Sequence, residues 1–145
     1  MINNVPVAYK GDKPYIFISY AHKDSDVVIP IIERLQSDGY RVWYDEGIVP
    51  GSNWDVYISE HLDKSASMIA FISQAYLKSH NCRDELSLAR IKGKHMNIVY
   101  VDDVQLSPGL RMRYGRIQAL FMQNMATEDF FEKLNHVDVM AMSRE

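Results

Sequence analysis

One cysteine, Cys82, stands in the 145 residues, so the chain can form neither an internal disulfide nor a thiolate zinc framework. A lone thiol is expected in a cytoplasmic protein. No apolar run approaches the ~20 residues of a membrane-spanning helix, and Met1-Ile2-Asn3-Asn4 lacks the basic-then-apolar layout of an export signal, so no membrane contact is expected. Charge of one sign is missing too: 16 Lys+Arg face 19 Asp+Glu, a formal net charge of -3. That balance supplies no general field for a polyphosphate backbone, and direct nucleic-acid binding is not expected. The stretch Ser19 to Asp26 has no glycine, which excludes a P-loop or dinucleotide fingerprint there. The five histidines are scattered without metal-binding spacing, so no metal site is expected. Ile72-Ser73-Gln74 lacks the acid that a phospho-acceptor receiver would need.

What is present is an alternation of strand and helix. Tyr15 to Tyr20 is a β-branched and aromatic run, apolar on both faces, as in a strand covered on two sides. Val27, Val28, Ile31, Ile32 and Leu35 form one helical stripe, closed by Asp38-Gly39, with Pro30 expected near the first turn. Tyr40 to Tyr44 is a second strand. The loop Asp45 to Ser52 follows, long for a βα turn. Ser52 and Asp55 approximate a capping box ahead of a helix carrying Trp54, Tyr57, Ile58, His61 and Leu62 on one face. Ser67 to Ile72 is a third strand, followed by a turn around Ala75, Tyr76 and Leu77. Cys82, Leu86, Ala89 and Gly93 trace the inner face of a helix starting near Asn81. Asn97 to Val101 is a fourth strand, a loop holds Ser107-Pro108-Gly109, a weaker fifth strand spans Ile117 to Met122, and a last helix runs from Thr127 through Leu134.

Such alternation predicts an α/β domain with a parallel sheet flanked by helices. The expected boundaries are a leader over 1–13, one domain over 14–135, and a tail or linker over 136–145. Ligands of such folds sit beyond the carboxyl ends of the strands, where the strand order reverses. Glu85 falls in the first turn of its helix, one residue before the core position Leu86, and so borders that crevice. The positive helix end favours its ionised form. A fixed anion there could steady an oxocarbenium-like transition state; the same placement also suits a glutamate that serves only the helix dipole. Cys82, on the inner face, reads as a small buried hydrophobe.

Three stretches in order, Tyr15-Ile16-Phe17-Ile18-Ser19-Tyr20-Ala21, Gly39-Tyr40-Arg41-Val42-Trp43-Tyr44-Asp45, and Ser73 to Leu86 with Cys82-Arg83-Asp84-Glu85-Leu86, resemble a bacterial Toll/interleukin-receptor (TIR) domain. Pro108-Gly109-Leu110 to Ile117-Gln118-Ala119 extends the resemblance, which runs from about Pro14 to Leu134. It implies a flavodoxin-like five-stranded parallel sheet with helices on both faces. Many members cleave NAD+ at the nicotinamide–ribose bond; others are scaffolds.

The resemblance places the family's catalytic glutamate on Glu85. It makes NAD+ a substrate, with no separate cofactor, and implies an effector or signal generator in bacterial antiphage defence, with a fused or separate sensor domain. Tyr20 and Ala21 match the loop lining the nucleotide crevice. Asp45 and Ser52 flank the loop Asp45 to Asn53, which in the family packs against a neighbouring TIR domain, so self-association is expected there. One position departs from the pattern. Members commonly carry an aromatic residue four before the glutamate, and this chain has Asn81. A non-enzymatic TIR–TIR interaction module is the alternative that this departure leaves open, and a nucleoside deoxyribosyltransferase-like enzyme is a third.

Overall fold

The computed structural model describes residues 6–46, 54–117 and 119–144. Five strands, β1 (Ile16–Ser19), β2 (Val42–Trp43), β3 (Ser67–Ile72), β4 (His95–Tyr100) and β5 (Ala119–Phe121), form one sheet in the order β2-β1-β3-β4-β5. Every pairing is parallel. Every residue of β1 and β3 is buried. Because successive strand residues point to opposite faces, both faces must be covered.

The covering helices are α1 (Ser25–Ser37), α2 (Trp54–Lys64), α3 (Gln74–Lys78), α4 (His80–Ile91), α5 (Pro108–Tyr114) and α6 (Thr127–Asn135). α1 and α6 are joined by Arg34, which donates to both Glu128 carboxylate oxygens at 3.2 Å and lies 4.6 Å over the Phe131 ring. α2 packs against α4. The stripe on α1 buries Val28, Ile31, Ile32 and Leu35, but Val27 is exposed. Pro30 lies in the second turn of α1 rather than near its start, because the helix begins two residues earlier than its apolar stripe. The proline is exposed, so its missing N–H falls on the solvent side. Two segments expected as turn and loop are short helices, α3 and α5. Their caps explain them, since Ser73 Oγ accepts from Tyr76 N at 3.0 Å and Ser107 Oγ from Leu110 N at 3.4 Å.

Residues of the expected leader and tail pack against the domain at the edge of the sheet. β2 pairs with β1 along one edge, leaving the other edge open. Residues on both flanks cover it: Tyr9 N donates to Val42 O at 2.8 Å, Arg41 N donates to Ser143 O at 2.7 Å, and Ala8 and Met140 are buried.

Gly93, four residues after the inner-face position Ala89, takes φ +69° with no atom within 4 Å of an added Cβ. Space is available, but the left-handed backbone is not comfortable for a side chain. Gly93→Ala is therefore expected to lower stability by about 1 kcal/mol and Gly93→Asn by less, read from chemical denaturation.

Candidate active site

The strand order reverses between β1 and β3, which is where a doubly wound sheet opens a crevice at its carboxyl end. A cavity of about 350 Å³ lies there. Its walls come from the end of β1 (Tyr20, Ala21), the residues after β2 (Asp45), α3 (Lys78) and the first turns of α4 (Asn81, Cys82, Glu85). A wider groove of about 1010 Å³ runs along β4, β5 and α6, but its Asp129, Glu132 and Lys133 are exposed and solvated. The smaller cavity holds the chemically distinctive group.

That group is Glu85. Ser79 caps α4 by accepting from Cys82 N at 3.2 Å, which fixes the helix start at His80 and puts Glu85 in the second turn, not the first. The expected help from the helix end is correspondingly weak. Burial instead pushes the carboxyl up to about 8, opposed by a hydrogen bond from Ser19 and reinforced by the charges of Asp45 and Asp84. The expectation of a carboxylate stabilised by the dipole is corrected on this point: burial outweighs the helix end and favours the protonated form at neutral pH. Among the described residues the carboxyl group is in no ion pair, and Ser19 Oγ donates to its Oε1 at 2.8 Å.

Of the other residues expected at the site, Tyr20, Ala21, Asp45 and Asn81 line the same cavity as Glu85, with Tyr20 and Ala21 buried and Asn81 exposed. Ser52 lies outside the described residues. Tyr20 stacks on His22 at 5.4 Å between ring centroids, and His22 Nε2 is 3.9 Å from Asp45 Oδ2, so the β1 and β2 loops are tied together across the mouth. Cys82 lines the cavity too, but burial pushes its thiol up to about 11, so at neutral pH it is not a nucleophile. Among the described residues no group of His, Cys, Asp and Glu could hold a metal ion. No helix among them is long and apolar enough to cross a membrane.

Two residues stand at the site that motif reading passed over. Ser19 closes β1 and is fully buried, and its Oγ lies 2.8 Å from the hydroxyl of Tyr76 as well as from Glu85. Tyr76, on α3, is also fully buried, and burial holds its hydroxyl well above the ordinary tyrosine range. One signal was available: a serine ending an otherwise apolar strand must find a partner if both faces are covered. Ser73 sets the position of α3, since its Oγ donates to Asp24 Oδ2 while accepting from Tyr76 N.

Sheet order and crevice define the class, a flavodoxin-like doubly wound domain. The model of the TIR-domain family matches residues 16–136, and the chain belongs to that family. The TIR domain of the Toll-related receptor TRR-2 from Hydra magnipapillata is similar in structure, with a TM-score of 0.71 at 16% identity, covering 86% of this chain and 96% of that one. The CMP N-glycosidase BcmB of Clostridium botulinum is similar with a TM-score of 0.60 at 14% identity, covering 83% of this chain and 97% of that one. At such identities the likeness is one of fold. No curated protein sequence matches the chain.

Proposed function

We propose that this TIR domain is an NAD+ nucleosidase, breaking the nicotinamide–ribose bond as a hydrolase or cyclase. The observation that carries the reading is the Glu85 carboxyl group, hydrogen-bonded at 2.8 Å by Ser19 inside the cavity at the strand-order reversal. Nicotinamide leaves as a neutral molecule from a cationic ring, taking the electron pair of the C–N bond with it. The protein need only orient the dinucleotide and oppose the positive charge growing on the ribose. Glu85 supplies that opposition once ionised, and the cationic ring of the substrate favours its ionisation. Water, or a nucleophilic atom elsewhere in the dinucleotide, then takes the sugar carbon. That a neighbour in fold is described as a CMP N-glycosidase supports N-glycosidic cleavage as the reaction class.

On this reading the domain works in the cytoplasm as an effector or signal generator, in antiphage defence by the family resemblance. It assembles through the Asp45 to Asn53 loop and answers to a fused or separate sensor. Residues 47–53 of that loop lie outside the described residues. The test is release of nicotinamide from NAD+ by purified protein, concentrated or artificially clustered, with release of cytosine from CMP as the competing outcome. No release of either base, or equal release by Glu85→Gln, overturns the proposal.

Asn81 favours a second reading. It sits one helical turn before Glu85, exposed at the cavity, where an aromatic ring would stack on a base. A pure TIR–TIR interaction module would self-associate through Ile48, Val49 and Pro50 without turnover, and light scattering beside the nicotinamide assay separates the two. If the enzyme reading holds, Asn81→Tyr is expected to lower KM for NAD+ by roughly threefold to tenfold, the worth of one stacked ring pair, with kcat little changed.

A further inference from the structure

The hydrogen-bond chain behind Glu85 has a direction. Ser19 Oγ lies 2.8 Å from Tyr76 Oη and 2.8 Å from Glu85 Oε1, and both Ser19 and Tyr76 are fully buried. Among the described residues, the Tyr76 hydroxyl has Ser19 as its hydrogen-bond partner. A buried hydroxyl hydrogen left without an acceptor is costly, so Tyr76 directs its hydrogen to Ser19 Oγ. Ser19 has one hydrogen of its own, and the remaining acceptor is Glu85 Oε1.

We propose that Tyr76 and Ser19 are positioning residues that act in series on Glu85, fixing Oε1 as a permanent acceptor and biasing the carboxyl group toward its ionised form. Resting on the nucleosidase reading, this deepens it. With Oε1 occupied, the proton of neutral Glu85 is carried on Oε2 and leaves to water in the cleft when the cationic substrate enters. The two hydroxyl hydrogens keep their places, so the carboxylate appears already oriented, with no rearrangement behind it. Among the described residues the Tyr76 hydroxyl bonds to Ser19, so its hydrogen-bonding influence on Glu85 passes through that one hydroxyl.

Other titratable groups lie around the carboxyl group: Asp45 after β2, Asp84 and Cys82 on α4, Asp24 after β1, and His22, Lys23 and Lys78 at the cavity. None is altered in the variants below, so their fields cancel in the comparison. The experiment is a pH titration of the Glu85 carboxyl carbon by 13C NMR in protein labelled at its glutamate side chains, with Glu85→Gln assigning the signal.

Ser19→Ala is expected to raise the midpoint by about one unit, and Tyr76→Phe by a few tenths. In the Ser19→Ala background, Tyr76→Phe is expected to add nothing. Ser19→Cys, nearer in volume and a weaker donor, is expected to fall between wild type and Ser19→Ala. An unmoved midpoint in Ser19→Ala, or an equal Tyr76→Phe shift in both backgrounds, overturns the proposal. The pH inflection of kcat/KM for NAD+ is expected to move with the NMR midpoint. NMR shifts as expected, in a protein that releases no nicotinamide, would sink the nucleosidase reading and leave the series coupling standing.

Discussion

Glu85→Gln is expected to lower nicotinamide release by about 10²–10³-fold or more and, at the same time, to make the protein more stable above neutral pH. The two effects share a cause. The ordinary glutamate value is 4.5, and burial raises that of Glu85 to about 8. Between those values the folded protein holds a proton that the unfolded chain has already lost, so its stability falls as pH rises across the window and levels off above it. Glutamine has no proton to lose and still accepts from Ser19. Relative to wild type, the variant therefore gains stability with rising pH, on the order of 2 kcal/mol by pH 8, allowing for water in the open cleft. Thermal midpoints of both proteins at pH 5 and pH 8 check this. The difference should be near zero at the lower pH and favour Glu85→Gln at the higher. Wild-type kcat/KM should climb over the same range as the carboxyl group ionises. An identical pH dependence of stability in the two proteins would mean that the carboxyl group is not held away from water.

Phe71→Ala is expected to cost about 3–5 kcal/mol, a large share of what holds a domain of this size together. Phe71 is fully buried in β3, the strand between β1 and β4, and pairs in register with Val99. Its loss leaves a cavity that the parallel neighbours cannot close without shifting the sheet. The site should suffer with it, because two residues further on Ser73 caps α3 and bonds to Asp24, and α3 carries Tyr76. Urea unfolding is the measurement, with Met112→Ala as the control. Met112 is 85% exposed on α5, and its truncation should change stability by less than about 0.5 kcal/mol. A Phe71→Ala cost comparable to that of Met112→Ala would contradict the packing of β3.

Much of the architecture was legible residue by residue. The two-faced apolar runs at Tyr15 to Tyr20 and Ser67 to Ile72 contain two inner strands of the sheet, β1 and β3, and the stripe from Val28 to Leu35 is the buried face of α1. These signals are local, since a strand covered on both sides and a helix covered on one leave different periods in the chain. The short helices α3 and α5 were harder to see. Five and seven residues are too few for a clear period, and each depends on a serine cap.

The site divides along the same line. The order of the elements follows from local patterning, and with it that Glu85, Tyr20, Ala21 and Asp45 belong to segments ending at one crevice. The state of Glu85 depends on the assembled fold. A helix start considered alone favours a charged carboxylate, whereas walls drawn from β1, the residues after β2 and α3 partly desolvate the group and favour the proton. The pairing of Ser19 with Tyr76, 57 positions apart, and the docking of both flanks on the open edge of β2 were decided there too. Periodicity records which side of an element is covered; desolvation and long-range hydrogen bonds depend on what covers it, and that is a property of the assembled layers.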